Sequence, residues 1–145
     1  MISVDTNILL YAYDNLCSEH QAAHDFLIKQ KHNRNFCICE LVLVELYVLL
    51  RNPKIVTQPL AANEAVGVVQ AYRTNHNWAV IEGGNGIMQE VWAIAKADSF
   101  ARRRIFDARL AFTLLHNGVT AFATHNVADF EGFGFSNVWD PIENK

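Results

Sequence analysis

Residues 106–129 read FDARLAFTLLHNGVTAFATHNVAD and place a helix, a turn and a strand in direct succession. The apolar pattern predicts a helix over 106–116, and Asn117-Gly118 is a pair typical of a helix C-terminus. A short buried strand is predicted over 119–123, and the chain becomes polar again from Thr124 onward. A helix followed closely by a buried strand is typical of α/β proteins, in which helices cover a parallel sheet.

The same alternation extends through the rest of the chain, without a linker or an internal repeat. Short apolar strands are predicted at residues 2–4, 36–39, 78–81 and 137–139. Helices are predicted over 19–31 with Ser18 as N-cap, over 41–50 ending before Pro53, over 63–72 with Asn63 as cap, and over 87–101. We therefore expect one α/β/α sandwich over residues 1–145, with a central and mainly parallel sheet.

The composition is that of a globular protein with a substantial core. The 145 residues are 51% hydrophobic and 19% charged, with a formal net charge of −3, which excludes disordered and low-complexity classes. No apolar stretch approaches the roughly 20 residues of a membrane-spanning helix. The N-terminus lacks the pattern of a secretory signal, and the three cysteines offer neither a disulfide framework nor a zinc-site spacing. We therefore expect a cytoplasmic protein with no membrane partner.

Glu45 interrupts the apolar helix predicted over 41–50. Its neighbours three and four positions away are all apolar, namely Leu41, Val42, Val48 and Leu49. This pattern predicts that the carboxylate lies on the side of the helix that faces the core, where an unpaired charge costs several kcal/mol. Two kinds of partner would compensate the charge: an arginine in a buried ion pair, or a metal ion.

Further polar groups are predicted to meet at one edge of the sheet. Asp5 ends the first strand, and Thr124, Asn126 and Asp129 follow the strand predicted over 119–123. The carboxyl ends of parallel strands share one edge, where ligands bind in such folds. Asp107 begins the helix before that strand. Several oxygen ligands without Cys or His partners are typical of a hard-cation site, and Mg²⁺ or Mn²⁺ fits this description.

Each of these residues also has a structural explanation. Asp5 can close an Asx turn, and Asn126 and Asp129 can belong to a simple turn. Asp107 can be stabilised by the positive end of its own helix. Taken together, however, the convergence of distant acidic residues on one edge favours the metal site.

Four of the twelve cations, Arg102, Arg103, Arg104 and Arg109, lie within eight positions. They form a local basic patch on a mildly acidic protein, and for the cluster by itself a solvated helix end is the favoured explanation. His20, His24 and His125 are expected at the surface. The loop 83–86 contains three glycines but lacks the residues of a phosphate-binding loop, and it is predicted as a turn.

Four short motifs occur in order along the chain. They are Val4-Asp5-Thr6-Asn7, Val44-Glu45 followed by Asn52-Pro53, Asp107-Ala108-Arg109-Leu110-Ala111, and Thr124-His125-Asn126-Val127-Ala128-Asp129-Phe130. Together they resemble the PIN-domain ribonucleases, specifically the VapC-type toxins of prokaryotic type II toxin–antitoxin systems. The resemblance spans residues 3 to about 139, and its specificity lies in the order and spacing of the motifs.

The resemblance implies a metal-dependent endoribonuclease with Mg²⁺ or Mn²⁺ as cofactor. Asp5, Glu45 and Asp107 match three acidic positions of the family, and Asn126 matches the fourth, where the family has Asp or Asn. These four are the implied catalytic residues, and Asp5, Glu45, Asp107 and Asp129 are the implied metal ligands. Glu45 would be a ligand or the base that orients water. The implied substrate contacts are Thr6, Asn7, Arg104, Arg109 and Thr124.

The resemblance also implies an RNA substrate, a homodimer, and a cognate antitoxin that inserts a segment into the active-site groove. One alternative is a catalytically weak PIN-like module that binds RNA or protein. A third hypothesis, aspartyl phosphotransfer from Asp5, is disfavoured because Asn7 stands where haloacid-dehalogenase-like sites have a second Asp.

Overall fold

In the computed structural model, which describes residues 1–143, the strands pair in parallel. They are β1 (Ile2–Val4), β2 (Cys37–Cys39), β3 (Ala79–Ile81), β4 (Ala121–Ala123) and β5 (Asn137–Trp139). β1 pairs with β4 and β4 with β5, while β2 pairs with β3. A parallel bridge between Ile2 and Phe36 joins the two groups, so the order across the sheet is β3-β2-β1-β4-β5. All the predicted strands are confirmed.

Two side-chain hydrogen bonds connect β1 and β2 in addition to the backbone bridge. The Ser3 hydroxyl donates to the Cys37 carbonyl oxygen at 2.9 Å, and the Cys37 thiol donates to the Ile2 carbonyl oxygen at 3.5 Å. Ser3 is fully buried, so its hydroxyl would be costly without this partner. These bonds hold β1, and the residue that follows it, at a fixed position in the middle of the sheet.

Helices connect the strands throughout residues 1–143. They are α1 (Thr6–Tyr13), α2 (His20–Gln30), α3 (Glu40–Leu50), α4 (Ala62–Arg73), α5 (Ile87–Ala95), α6 (Arg104–His116) and α7 (Val127–Phe130). The sequence predicts all of them except α1 and α7. No element was predicted over residues 6–13, and Asn126 and Asp129 were expected in a turn after the strand.

α1 begins one residue after β1 because Asp5 acts as its N-cap. The Asp5 Oδ1 atom accepts a hydrogen bond from the Thr6 N–H at 2.8 Å. Ile8, Leu9 and Leu10 are all buried. Three consecutive buried residues give no helical period, so the pattern does not distinguish this helix from a continuing strand.

Two of the predicted helix caps are wrong. The N-cap of α2 is Glu19 rather than Ser18, and no side chain caps this helix end by a hydrogen bond. Asn63 lies inside α4. The Glu64 carboxylate instead accepts a hydrogen bond from the Ala61 N–H at 3.0 Å, because a residue three positions into a helix can reach back to the cap.

α5 is shorter than the predicted helix 87–101. It begins after Gly86, whose φ of 82° favours glycine, and it ends at Ala95. The chain then continues in turns, in which the Phe100 N–H donates to the Ala97 carbonyl oxygen at 2.9 Å. Asp98 and Ser99 occupy these turns, as expected of residues that compete with helical hydrogen bonding.

The helices form two groups. α1 to α4 contact one another, and α5 to α7 form a second series of contacts. Because crossovers between parallel strands are right-handed in nearly all proteins, this strand order implies that the two groups cover opposite faces of the sheet. The largest fully buried side chains include Phe36, Phe122, Ile8, Leu9, Leu43 and Leu114. The α/β class is therefore confirmed. Within residues 1–143, the helices are too short or too polar to cross a membrane.

Candidate active site

The chain reverses its direction across the sheet between β1 and β4. From β1 it moves outward through β2 to β3, and then returns to β4 and β5. In parallel sheets, ligands bind beside the carboxyl ends of the strands at such a reversal. A groove of about 810 Å³ opens there between α1, α3, α6 and α7, and its lining includes Asp5, Glu45, Asp107, Asn126 and Asp129.

Asp5 is a buried carboxylate with a fixed orientation. Its Oδ1 atom accepts from the Thr6 N–H at 2.8 Å, and its Oδ2 atom accepts from the Thr124 hydroxyl at 2.7 Å. Burial raises the pKa of Asp5 from 3.8 to about 6; the hydrogen bonds from Thr124 and Thr6 oppose this rise, and the charges of Glu45 and Asp107 add to it. The site thus concentrates negative charge that its own donors do not fully compensate.

Glu45 does not face the core, so this prediction is wrong. The carboxylate is exposed in the groove, and the buried side of α3 is formed by Val42, Leu43, Leu46 and Leu50. Two of the apolar residues on the same helix, Val44 and Val48, are themselves 62% and 56% exposed. α3 therefore presents apolar side chains on both sides, and the helical period alone could not identify the buried one.

The Glu45 carboxylate has a neutral partner instead of an arginine. Its Oε2 atom accepts a hydrogen bond from the Thr6 hydroxyl at 3.3 Å. Among the ion pairs of residues 1–143 there is none that involves Glu45, so the structure does not support the alternative of a buried ion pair. Glu45 and Asp5 are linked through one residue, Thr6.

Asp107 lies in the first turn of α6 and lines the same groove. Burial raises the pKa of Asp107 from 3.8 to about 6, with a contribution from the charges of Asp129 and Glu45, while Arg104 opposes the rise. The burial of Asp107 and the neighbouring negative charges therefore raise its pKa by more than the positive end of the helix can lower it.

The short helix α7 brings Asn126 and Asp129 to the groove. Asn126 precedes the helix, and its side chain makes no capping hydrogen bond. Both side chains are exposed and line the groove. They are therefore free to meet a ligand from solvent.

Arg104 holds this short helix in place. Its guanidinium donates to the carbonyl oxygens of Asp129 and Glu131 at 3.2 and 3.3 Å. The guanidinium carbon also lies 4.5 Å from the centre of the Phe133 ring. Arg104 was predicted as a substrate contact, but these contacts engage its guanidinium with the protein itself.

The other predicted substrate contacts divide into buried and accessible residues. Thr6 and Thr124 are buried and donate to the carboxylates of Glu45 and Asp5. Asn7 lines the groove, and its Oδ1 atom accepts from the His125 N–H at 3.3 Å. Arg109 is exposed and also lines the groove. The two threonines therefore support the acidic groups, whereas Asn7 and Arg109 can reach a ligand.

The acidic residues share the groove without forming a tight cage. Within residues 1–143, the only group of three ligand atoms within 4.8 Å of one another is formed by His125, Asp140 and Glu143. In that group His125, which was expected to be exposed, is partly buried with Nδ1 2.7 Å from Asp140 Oδ2. This group is not part of the groove lining, and a hydrogen bond to Asp140 explains the position of the imidazole.

Sequence reasoning missed the apolar and aromatic part of the groove. Leu41 and Val44 of α3 and Phe106 of α6 line it. Arg103, which was predicted as part of the basic patch, lines it as well. The sequence did contain a signal for these apolar residues, because one precedes each acidic residue in Val44-Glu45 and in Phe106-Asp107. The groove thus combines acidic, basic and apolar surfaces.

A PIN domain family model matches residues 2–133. The chain belongs to the PIN domain family. Ribonuclease VapC24 of Mycobacterium tuberculosis (strain CDC 1551 / Oshkosh) is 54% identical to this PIN-domain chain over 142 residues, which cover 98% of the chain and 97% of the relative. The membership predicted from the four motifs, including the VapC type, is confirmed.

Solved structures share the PIN fold. Mycobacterium tuberculosis VapC20, described as a sarcin–ricin-loop-cleaving toxin, has a TM-score of 0.68 and 18% identity over 93% of this chain and 96% of its own. A toxin–antitoxin complex from Klebsiella pneumoniae contains a chain with a TM-score of 0.62 and 17% identity, covering 97% of this chain and 98% of its own. At these identities the likeness concerns the fold of the PIN domain.

Proposed function

We propose that this PIN-domain chain is an endoribonuclease that hydrolyses RNA phosphodiester bonds with the help of a divalent cation. The observation that carries the proposal is the groove at the strand reversal, which both Asp5 and Asp107 line and in which both have pKa values raised to about 6. Raised pKa values in a cleft are typical of functional sites. The name of the 54% identical relative, a ribonuclease, supports the same activity.

The donor set fits a hard cation. Asp5, Glu45, Asp107 and Asp129 offer carboxylate oxygens to one groove, and such ligands match Mg²⁺ or Mn²⁺ better than softer metals. Burial, and to a smaller extent the charges of neighbouring carboxylates, raise the pKa values of Asp5 and Asp107. A bound cation would offset this cost of holding charged carboxylates in the groove. When bound, a divalent cation polarises the phosphate and favours the formation of hydroxide from water.

The protein's own groups have distinct tasks in this proposal. The hydrogen bonds from Thr124 and Thr6 fix the two oxygens of Asp5, so that it needs little reorganisation to act as a ligand. Exposed Glu45 can accept the proton of an attacking water, because among the described residues only Thr6 donates a hydrogen bond to its carboxylate, at Oε2. Asn126 can donate its amide to a phosphate oxygen.

Arginines on the groove offset the repulsion between RNA and an acidic centre. Arg103 and Arg109 line the groove and are exposed. Contacts from arginine to phosphate position a nucleic acid without reading its sequence. We therefore assign them to the RNA backbone, while Arg104 acts by holding α7.

Hydrolysis of a single-stranded RNA tests the proposal directly. We expect cleavage with Mg²⁺ or Mn²⁺ that stops with EDTA and falls at least about a hundredfold in Asp5→Asn and Asp107→Asn. Asp98→Asn is the matched control, because Asp98 is exposed and lies outside the groove lining. RNA binding without cleavage by the metal-loaded protein would favour the alternative, a PIN-like binding module.

We also propose a homodimer and a cognate antitoxin as partner. Solved complexes of related fold support this, among them a toxin–antitoxin complex from Klebsiella pneumoniae and VapBC2 from Rickettsia felis. The exposed apolar side chains of Val44 and Val48 beside the groove would suit a protein segment. Co-purification with the product of a neighbouring small open reading frame, followed by light scattering, tests both partners; a lone monomer that gains no partner would contradict them.

A further inference from the structure

Phe106 is an aromatic side chain exposed at the edge of the acidic groove. It is 65% exposed, the highest value among the exposed large hydrophobic side chains of residues 1–143. It precedes Asp107 in the first turn of α6 and lines the groove. The other aromatic residue of the groove lining, Phe130, is only 3% exposed and packs in the core.

Arg103 accompanies this ring. Its guanidinium carbon lies over the Phe106 ring, 5.8 Å from the ring centre, and its side chain also lines the groove. A cation over an aromatic face is attracted by the electron density of the ring. The pair therefore presents a flat apolar surface and a positive charge at one point of the rim.

We propose that Phe106 and Arg103 form a stacking platform for one unpaired nucleobase of the RNA, next to the scissile phosphate. The inference rests on the proposed ribonuclease function and adds a residue that selects the substrate. A base can stack on an aromatic ring only when it is not already enclosed in a duplex. The platform thus favours RNA that is single-stranded, or has a base turned outward, beside the cleavage site.

The charges at this edge favour a nucleic acid over a protein segment as the occupant. Arg103 contacts the ring and Arg109 lies on the same groove, so a strand whose base stacks on Phe106 would find cations for its phosphates. The aliphatic residues Leu41 and Val44 belong to α3, away from this pair in the chain. Such side chains offer no flat ring on which a base can stack.

Fluorescence of 2-aminopurine in a short single-stranded RNA measures stacking directly, because stacking quenches it. The protein carries Asp5→Asn throughout, with Mg²⁺ present, so that the RNA stays intact. Onto this background we place Phe106→Ala, Phe106→Leu and Phe106→Trp. Trp92→Ala is the matched control, since Trp92 is 57% exposed but lies outside the groove lining.

We expect Phe106→Ala and Phe106→Leu to lose the quenching and to bind the RNA about tenfold more weakly, the loss typical of one stacking partner. Phe106→Trp should keep both properties, and Trp92→Ala should leave both unchanged. Wild-type quenching and affinity in Phe106→Leu would overturn the inference, because an apolar contact would then suffice. A change of oligomeric state in Phe106→Ala with unchanged RNA affinity would overturn it in favour of a protein interface.

Cleavage assays with proteins that keep Asp5 separate this inference from the proposed function. If the unsubstituted chain cleaves the RNA and the single variant Phe106→Ala cleaves it with the same KM and kcat, the inferred stacking platform is wrong and the proposed ribonuclease activity stands. If the RNA stacks on Phe106 but is never cleaved with either metal, the proposed reaction fails while the platform stands as part of a binding module.

Discussion

Asp5 shows how a single side chain can carry both the fold and the candidate chemistry. It caps α1 through the Thr6 N–H and receives a second hydrogen bond from the Thr124 hydroxyl, so both oxygens are fixed. Its burial nevertheless raises the pKa to about 6. A folded-state pKa above the ordinary 3.8 means that the charged form destabilises the metal-free protein.

The first prediction concerns the pH dependence of stability without metal. The folded state binds more protons than the unfolded state between pH 3.8 and about 6 on account of Asp5, so this group lowers the free energy of unfolding as pH rises through that range. We expect Asp5→Asn to gain stability over the unsubstituted chain on going from pH 4 to pH 7, by at most about 3 kcal/mol. Urea unfolding in EDTA measures this.

Asp98→Asn serves as the control for that experiment, because its carboxylate is exposed. Its stability difference from the unsubstituted chain should change little with pH. If the stability of Asp5→Asn relative to the unsubstituted chain stays constant or falls from pH 4 to pH 7, the first prediction is wrong.

The second prediction concerns Glu45, whose carboxylate is exposed and, within residues 1–143, accepts a side-chain hydrogen bond only from Thr6. We expect Glu45→Gln to change the free energy of unfolding by no more than about 0.5 kcal/mol, as is typical of exposed positions. The same variant should cleave RNA at least about a hundredfold more slowly, because the amide cannot accept a proton. Unchanged kcat, measured with Mn²⁺ at saturating RNA, would remove Glu45 from the proposed mechanism.

At the scale of secondary structure, α7 is the element that depends most on its neighbours. It has four residues, too few to be stable without tertiary contacts. Arg104 of α6 binds the carbonyl oxygens of Asp129 and Glu131 and so ties one end of α7 to the groove. The other end is held by the Asn126 N–H, which donates to the Thr124 hydroxyl at 3.0 Å.

The third prediction follows from this tie. Arg104→Ala should lower the free energy of unfolding by about 1–3 kcal/mol, because two hydrogen bonds from a charged donor and a contact with Phe133 are lost. It should lower kcat more than it raises KM, since Asp129 and Asn126 would no longer be held. Arg102→Ala, at an exposed position nearby, is the control; equal effects of the two substitutions would mean that Arg104 acts only through its charge.

At the scale of the whole molecule, the strand order gathers the site. β1 and β4 are neighbours in the sheet although residues 2–4 and 121–123 are far apart in the chain. Their carboxyl ends bring Asp5 and Thr124 into contact. α3 and α6 then supply Glu45 and Asp107 from different crossovers, so the groove forms only when the entire sheet has assembled.

The fourth prediction uses this dependence of the site on folding. A ligand that binds only the folded state stabilises it, by about 2.7 kcal/mol when its concentration is a hundred times its Kd. We expect Mn²⁺ to raise the melting temperature of the unsubstituted chain, and to have little effect on a double variant with Asp5→Asn and Asp107→Asn. Equal stabilisation of both proteins would place the bound metal outside the groove.

The sequence was sufficient to predict the five strands and most of the helices, because these depend on short-range patterns, and the order of four motifs was sufficient to predict the PIN family. The acidic residues of those motifs line one groove in the structure. A strand of alternating or continuous apolar residues and an acid at its end can be recognised from a few neighbouring positions. The same neighbours could not identify α1, in which consecutive apolar residues are buried and no helical period is visible.

The tertiary structure alone decided the environment of each side chain. Glu45 is surrounded by apolar residues in the helix and yet lies in solvent, since the opposite side of α3 faces the sheet and the adjoining helices. Arg104 is basic and lines the groove, yet two of its N–H groups donate to the carbonyl oxygens of Asp129 and Glu131. The physical reason is common to both: a helical period fixes which residues share a face, whereas burial and pairing depend on segments that only the folded chain brings near.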